Sequence, residues 1–166
     1  MKPALSQDAA APDILVGATG YVFIYQEHHG GSLALGPSLL LRDNNVILQT
    51  GVWADIKKYT VYEGMHGGYE KSEKLNLLIP LLGHYTYYSD KRLEMFLSLG
   101  MVFGGSYYLD ESGQVKKTNG INFLAGTGAA LKASKVISIR LMPSIRYCQG
   151  EFNAGSMIEI AAALNR

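Results

Sequence analysis

A few residues in this chain have the types that could do chemistry. His28 and His29 are adjacent and follow Glu27, a grouping that suggests a metal. Neighbouring residues on a strand point to opposite faces, so the two rings cannot chelate one ion there. No carboxylate cluster joins them beyond Glu27, and no metal or other cofactor is assigned. His84 falls on the same strand face as Ser98 and Ser106 of the next strand, and serine with histidine is the pairing of membrane-barrel hydrolases. Such a site needs the two within hydrogen-bond reach and an acid to orient the ring. With Ser89-Asp90-Lys91 as the connecting turn, Tyr88 pairs with Arg92 and His84 sits opposite Phe96. Ser98 is then diagonal and Ser106 distant, so no catalytic residue is assigned and the chain is not read as an enzyme. Gly126-Thr127-Gly128 lies inside a strand, not between a strand and a helix, so it is no phosphate loop. Cys148 is the single cysteine and can form no disulfide within the chain.

The charged residues are more informative. Asp55, Lys57, Glu94, Lys132, Arg140, Arg146 and Glu159 fall on strand faces that otherwise carry small or polar side chains. Isolated charges on such a face should pair or reach water. Asp55, Glu94, Arg140, Arg146 and Glu159 are therefore expected to form a structural polar network inside the fold. Pairing the last two strands through a loop near 150–154 sets Glu159 opposite Ser144, with Arg146 and Met142 diagonal to it. With Ala133-Ser134-Lys135 as a turn, Lys132 pairs with Val136, Arg140 faces Gly128 and Met142 faces Gly126. The glycines would then make room for the Arg140 guanidinium, which seeks Glu94 or Glu159.

These residues are positioned by strands. Period-2 alternation recurs from Leu15 to the C-terminus, and eight strands are read near 14–27, 32–43, 46–59, 74–88, 92–108, 119–132, 136–149 and 155–165. Leu93, Met95, Leu97, Leu99, Met101 and Phe103 form one large apolar face, opposed by small, polar or mixed residues. Ile137, Ile139, Leu141, Ile145 and Tyr147 repeat the pattern. Hydrophobic residues make up 48% of the 166 and charged residues 17%. That charged share is low for a water-soluble domain, where about a quarter is usual. The net charge of +1 argues against nucleic acid as a partner. No apolar run approaches the roughly 18 residues a spanning helix needs, so the apolar content is spread through short segments, which points to strands. The opposite face, rich in glycine, serine and alanine with isolated charges of both signs, fits a narrow lumen, and the apolar face is then expected to meet lipid.

The fold expected is all-β, an eight-stranded antiparallel up-and-down transmembrane β-barrel occupying residues 13–166. Residues 1–12 are read as a signal-peptide remnant or disordered tail, with Ala4 and Ser6 at signal-peptidase spacing before Gln7. Three connections are short (44–45, 89–91, 133–135), and the alternate ones at 28–31, 60–73, 109–118 and 150–154 include two long polar loops. Short turns at one rim and longer loops at the other are the asymmetry of outer-membrane barrels. Tyr21, Tyr25, Tyr85, Tyr87, Tyr88, Tyr107, Tyr108 and Tyr147 cluster towards strand ends and suit an aromatic belt at the lipid headgroups.

Leu77-Leu78-Ile79-Pro80-Leu81-Leu82, then Tyr85 and Leu97-Ser98-Leu99-Gly100, resemble the outer-membrane protein β-barrel family of Bacteroidetes-type bacteria, which includes PorT-like proteins and small OmpA-like barrels. Gly126-Thr127-Gly128 and the Ile139 to Tyr147 strand extend the likeness. The terminal Leu164-Asn165-Arg166 departs from the aromatic ending such barrels often carry. The resemblance implies a membrane barrel of the bacterial outer membrane with no catalytic residues, embedded in outer-membrane lipid, with other envelope proteins as candidate partners. A structural or interaction role through the extracellular loops follows, and about eight strands leave too little interior for a wide pore. The competing readings are a soluble lipocalin-like ligand-binding barrel and a membrane-embedded lipid-modifying enzyme.

Overall fold

The computed structural model describes residues 13–25, 30–63, 68–109, 115–148 and 151–164. The elements are β1 (Asp13–Tyr25), β2 (Gly30–Asp43), β3 (Val46–Gly51), β4 (Trp53–Glu63), β5 (Gly68–Ser89), β6 (Leu93–Leu109), β7 (Val115–Lys132), β8 (Ile137–Cys148) and β9 (Glu151–Ala163). All pairings are antiparallel: β2 and β5 each pair with both β3 and β4, the other strands pair with their neighbours in the chain, and β1 pairs with β9, which closes the sheet into a barrel.

β3 and β4 are one geometric strand, so the barrel has eight staves. Both segments pair with β2 in the same register, as Ser38–Gly51 and Leu35–Ala54 show. The interruption falls at Val52, which faces Pro37. Val52 N–H donates to the Pro37 carbonyl at 3.2 Å, but Pro37 has no N–H with which to return the bond. A second gap follows the same rule. The β7–β8 ladder lapses between Gly126–Ser144 and Ala129–Leu141, where Pro143 stands, and resumes unshifted.

Three tight turns, the start of β1 and the end of β9 share one end of the barrel. Asn44 takes φ 52° between Asp43 and Val46, a left-handed conformation that asparagine tolerates. The other two turns are longer than the spacing suggested, and for one reason. Asp90 Oδ1 accepts the N–H groups of Arg92 and Leu93 at 2.7 Å each. Ser134 Oγ likewise accepts those of Val136 and Ile137 at 3.1 and 3.0 Å. A side-chain acceptor at the first turn residue thus replaces a strand partner for two donors. The bonds from Leu93 and Arg92 hold the Asp90 carboxyl below its usual pKa. This support for the turn is present above the ordinary carboxylate range and is lost as pH falls through the depressed value.

The longer turns move the registers. Ser89 pairs with Glu94, a bulge at Tyr87 then shifts the ladder by one, and His84 faces Ser98 directly, not Phe96. The bulge also turns both Tyr87 and Tyr88 outward. Across β7 and β8, Lys132 pairs with Ser138, and Arg140 faces Ala130 instead of Gly128. Across β8 and β9, Cys148 pairs with Glu151, so Glu159 faces Arg140 and not Ser144. At the opposite end the stretches read as long loops are mostly strand. β4 and β5 stay paired as far as Glu63–Gly68, and β6 and β7 as far as Leu109–Val115. Polar residues can continue a hairpin once it has left the apolar zone, so their polarity did not mark a loop.

Candidate functional site

The distribution of polarity is the reverse of a water-soluble barrel. Large apolar side chains cover the outside, from Phe103 at 37% exposed to Leu99 at 70%. The inside holds buried charges and hydrogen-bonding groups together with aromatic and aliphatic fillers. Alternation along each strand produces both faces at once, because successive side chains point to opposite sides.

The lumen network is built in tiers. At the end bearing the short turns, Glu94 on β6 accepts Arg42 Nη1 at 3.1 Å and pairs with Lys132 Nζ at 2.9 Å. Arg42 Nη2 also pairs with the second Glu94 oxygen, making a two-pronged contact. One tier deeper, Arg140 Nη1 meets Glu159 Oε2 at 2.8 Å, with both residues at most 2% exposed. Glu159 Oε1 accepts Thr19 Oγ1 at 3.0 Å and Gln49 Nε2 at 2.7 Å. Because the Gln49 amide nitrogen is committed to that carboxylate, its oxygen faces His84 Nε2 at 2.8 Å. His84 therefore presents an Nε2 proton and is the donor. Thr19, Gln49 and Trp53 Nε1 converge on Ser38 Oγ, Trp53 at 3.2 Å.

Above this tier the lumen is filled by stacked groups. Tyr21 and Phe23 stack at 3.9 Å, Arg146 lies over the Phe23 ring at 3.6 Å, and Arg140 over Phe96 at 4.4 Å. Asp55 is fully buried and accepts Asn76 Nδ2 at 3.0 Å. Thus Arg140 and Glu159 come together, Glu94 belongs to Arg42 and Lys132, and Asp55 sits apart with Asn76. Arg146 is placed against Phe23, and its backbone pairs with Asn153. Tyr21, read as part of an aromatic belt, lies wholly inside, because its strand parity matches Phe23 and not Val22. Tyr85, Tyr87, Tyr88 and Tyr147 do face outward. Sequence reasoning missed Arg42, Thr19 and Asn76 as members of the network. Their position on the small-residue face was the signal that could have found them.

The glycines make room, but for a different occupant. A Cβ on Gly128 would stand 2.6 Å from Phe96 Cζ and 2.5 Å from the Leu141 carbonyl oxygen. Gly128 therefore admits Phe96, and Arg140 stacks on that ring. At Gly155 a Cβ would meet Phe23 and Tyr21 at 2.7 Å each. Small positions opposite large ones are how a narrow barrel is filled. Gly128→Leu is expected to lower unfolding stability by about 1–3 kcal/mol or more, and Ala129→Leu by much less. Urea midpoints in detergent would compare the two, and equal midpoints would defeat the packing account.

Among the described residues, one histidine and one serine face each other across a ladder. These two, His84 and Ser98, are both buried, and Ser98 Oγ has no hydrogen-bond partner among the described residues. The groups around His84 are Gln49 and, edge-on at 5.4 Å, Phe96. Neither is the acid that orients a catalytic histidine. His28 and His29 lie outside the described residues, as does the side chain of Lys57.

A structural likeness decides the architecture. The N-terminal β-barrel domain of Pseudomonas aeruginosa OprF superposes with a TM-score of 0.64 at 10% identity, over 93% of this chain and 98% of that one. The fold is that of the small outer-membrane barrels. Neisserial surface protein A matches with a TM-score of 0.62 at 10% identity, covering 92% of this chain and 97% of that one. Ail, the attachment invasion locus protein of Yersinia pestis, solved with the heparin analogue sucrose octasulfate, matches at 0.54 and 11% identity, over 92% and 96%. No known family profile and no curated relative matches the sequence. The barrel thus shares its staves and closure with these proteins but little of its side-chain composition. Its lumen network has to be read from its own residues.

Proposed function

We propose that this chain is a bacterial outer-membrane barrel with a structural or interaction role exercised at its loop-bearing end, and that it is neither an enzyme nor a wide pore. The observation that carries the proposal is the reversed polarity, an apolar exterior around a lumen of buried ion pairs. Such an exterior is stable only against lipid. A soluble ligand-binding barrel would keep a central cavity, whereas Tyr21, Trp53, Leu82, Phe96, Met142 and Met157 occupy the centre here at 0–1% exposure. The same filling argues against conduction. The resemblance of Ile79–Leu82 and its surroundings to the Bacteroidetes-type family is part of this proposal.

The interaction role rests on the uneven ends. The β2–β4 ladder stops at Gly31–Lys58 and the β5–β6 ladder at Leu75–Tyr107, while β4 and β5 run on together to Glu63–Gly68. A two-stranded ribbon of about five residue pairs, roughly 17 Å long, therefore rises beyond the common rim. Paired backbone held on a rigid barrel is a suitable platform for a partner. Ail, with its heparin analogue, is a barrel of this fold crystallised with a ligand; the corresponding partners here are proposed to be envelope or surface molecules.

Orientation is the first test. In a Cys148→Ser background, G113C should react with a membrane-impermeant maleimide on intact cells, and S134C only after the outer membrane is opened. The opposite pattern would turn the barrel over and remove the interaction proposal. Faster gel migration of unboiled than boiled protein, and extraction only by detergent, are expected alongside.

A further inference from the structure

The end bearing the short turns is not sealed. A cavity of about 690 Å³ opens there, and its wall includes Arg42, Lys91, Arg92, Lys132, Lys135 and Arg140. Two carboxylates, Asp13 and Glu94, share the same wall. Lining charges therefore sum to six positive against two negative, in a chain whose overall charge is only +1. Glu94 is engaged by Arg42 and Lys132, and Glu159 just behind the wall neutralises Arg140, so the excess positive charge of the mouth sits mainly on Lys91, Arg92 and Lys135 at the rim. Walls of low dielectric focus such a field into the opening.

The floor of the cavity carries donors in want of an acceptor. Arg140 is 2% exposed, and Glu159 satisfies only its Nη1. Arg140 Nε and Nη2, and Arg42 Nε, are buried donors with no hydrogen-bond partner among the described residues. A buried guanidinium edge left unmatched is costly. Both side chains line the cavity, but these atoms have almost no surface open to it, so an incoming anion reaches them only as wall side chains move aside.

We propose that this mouth is an anion site that takes a phosphate group. A carboxylate brings one negative charge and two oxygens. A phosphate monoester brings up to two charges and three acceptor oxygens, which suits a multiply cationic wall better. Arginine forks at the base bind the oxygens, and Lys91, Arg92 and Lys135 at the rim supply attraction and entry. The group can come from a soluble phosphate monoester or from a lipid of the adjacent leaflet whose headgroup is one, as in phosphatidic acid. Under the orientation proposed above, the site opens to the periplasm, but binding itself does not depend on that orientation.

The full chain, folded in an uncharged maltoside detergent, is titrated calorimetrically with inorganic phosphate and, separately, with dihexanoyl phosphatidic acid below its micelle concentration. Saturable binding near one per barrel is expected, weakening as salt is raised. The K91Q/R92Q/K135Q variant, altered only in exposed rim residues, should bind about tenfold more weakly or worse. R140K, which keeps the charge but loses the guanidinium edge, should show a comparable loss. K71Q/K116Q, changed towards the other end, should bind as the parent does. Saturation by both ligands, in competition, assigns the shared phosphate chemistry; saturation by one alone assigns the soluble or the lipid source. Failure of both to saturate, or undiminished binding by the triple rim variant, would overturn the site. Retained heat-modifiable migration in each variant separates loss of binding from loss of fold.

Discussion

Glu159→Ala is expected to be the most damaging single change in the lumen, lowering stability by about 3–5 kcal/mol. The carboxylate is fully buried and gathers three donors from three strands: Thr19 on β1, Gln49 on β3 and Arg140 on β8. Its removal leaves the Arg140 guanidinium buried with its countercharge gone. It also frees the Gln49 amide, which then no longer fixes its oxygen towards His84. Glu159→Gln should cost less, because one acceptor oxygen survives. The measurement is urea unfolding in detergent, followed through Trp53, the sole tryptophan, which sits on the same Ser38 hub. A loss under about 1 kcal/mol for Glu159→Ala would mean that water replaces the carboxylate and that the lumen is looser than its packing indicates.

The second large effect lies on the opposite face of the strands. Leu99 is 70% exposed near the middle of β6. Leu99→Arg should destabilise the barrel in phospholipid vesicles by about 2–4 kcal/mol, and Tyr88→Arg beside the turn by about 0–1 kcal/mol. The gradient with depth is the signature of a bilayer. In a water-soluble barrel, Leu99→Arg would be harmless or would improve solubility. Equal and small costs at Leu99 and Tyr88 would therefore remove the membrane from the account.

The faces of the strands were legible and the contacts across them were not, for a common physical reason. Burial of one face fixes the parity of every residue, since a one-residue slip would turn a whole strand inside out. A slip of two or four leaves the faces intact and changes every partner. All three misread ladders differ by such even steps. His84 moves from Phe96 to Ser98, Arg140 from Gly128 to Ala130, and Glu159 from Ser144 to Arg140. The information that sets these steps lies in the turns. Asp90 and Ser134 capture two backbone N–H groups each and so lengthen their turns, which composition alone does not announce. Hence parity puts Arg140 on the inner face, spacing leaves its carboxylate between two candidates, and the structure pairs it with Glu159. Tyr21 was missed differently, because an aromatic near a strand end suits both a headgroup belt and a stacked lumen filler.

Closure of the sheet through β1 and β9 has a consequence for how the chain reaches this state. With β3 and β4 taken as one stave, every other ladder joins staves consecutive in sequence and can form as a local hairpin. The last seam joins Leu15 to Ala163 and Ile24 to Ala154, and its side-chain clasp, Thr19 to Glu159, spans 140 residues. Bringing such distant segments together costs chain entropy before any bond rewards it. Until it occurs, two strand edges with unmet N–H and C=O groups stand in hydrocarbon, at several kcal/mol per group. A half-closed barrel is therefore not a resting point. The buried Glu159 lies on the seam between β1 and β9 and clasps it from inside.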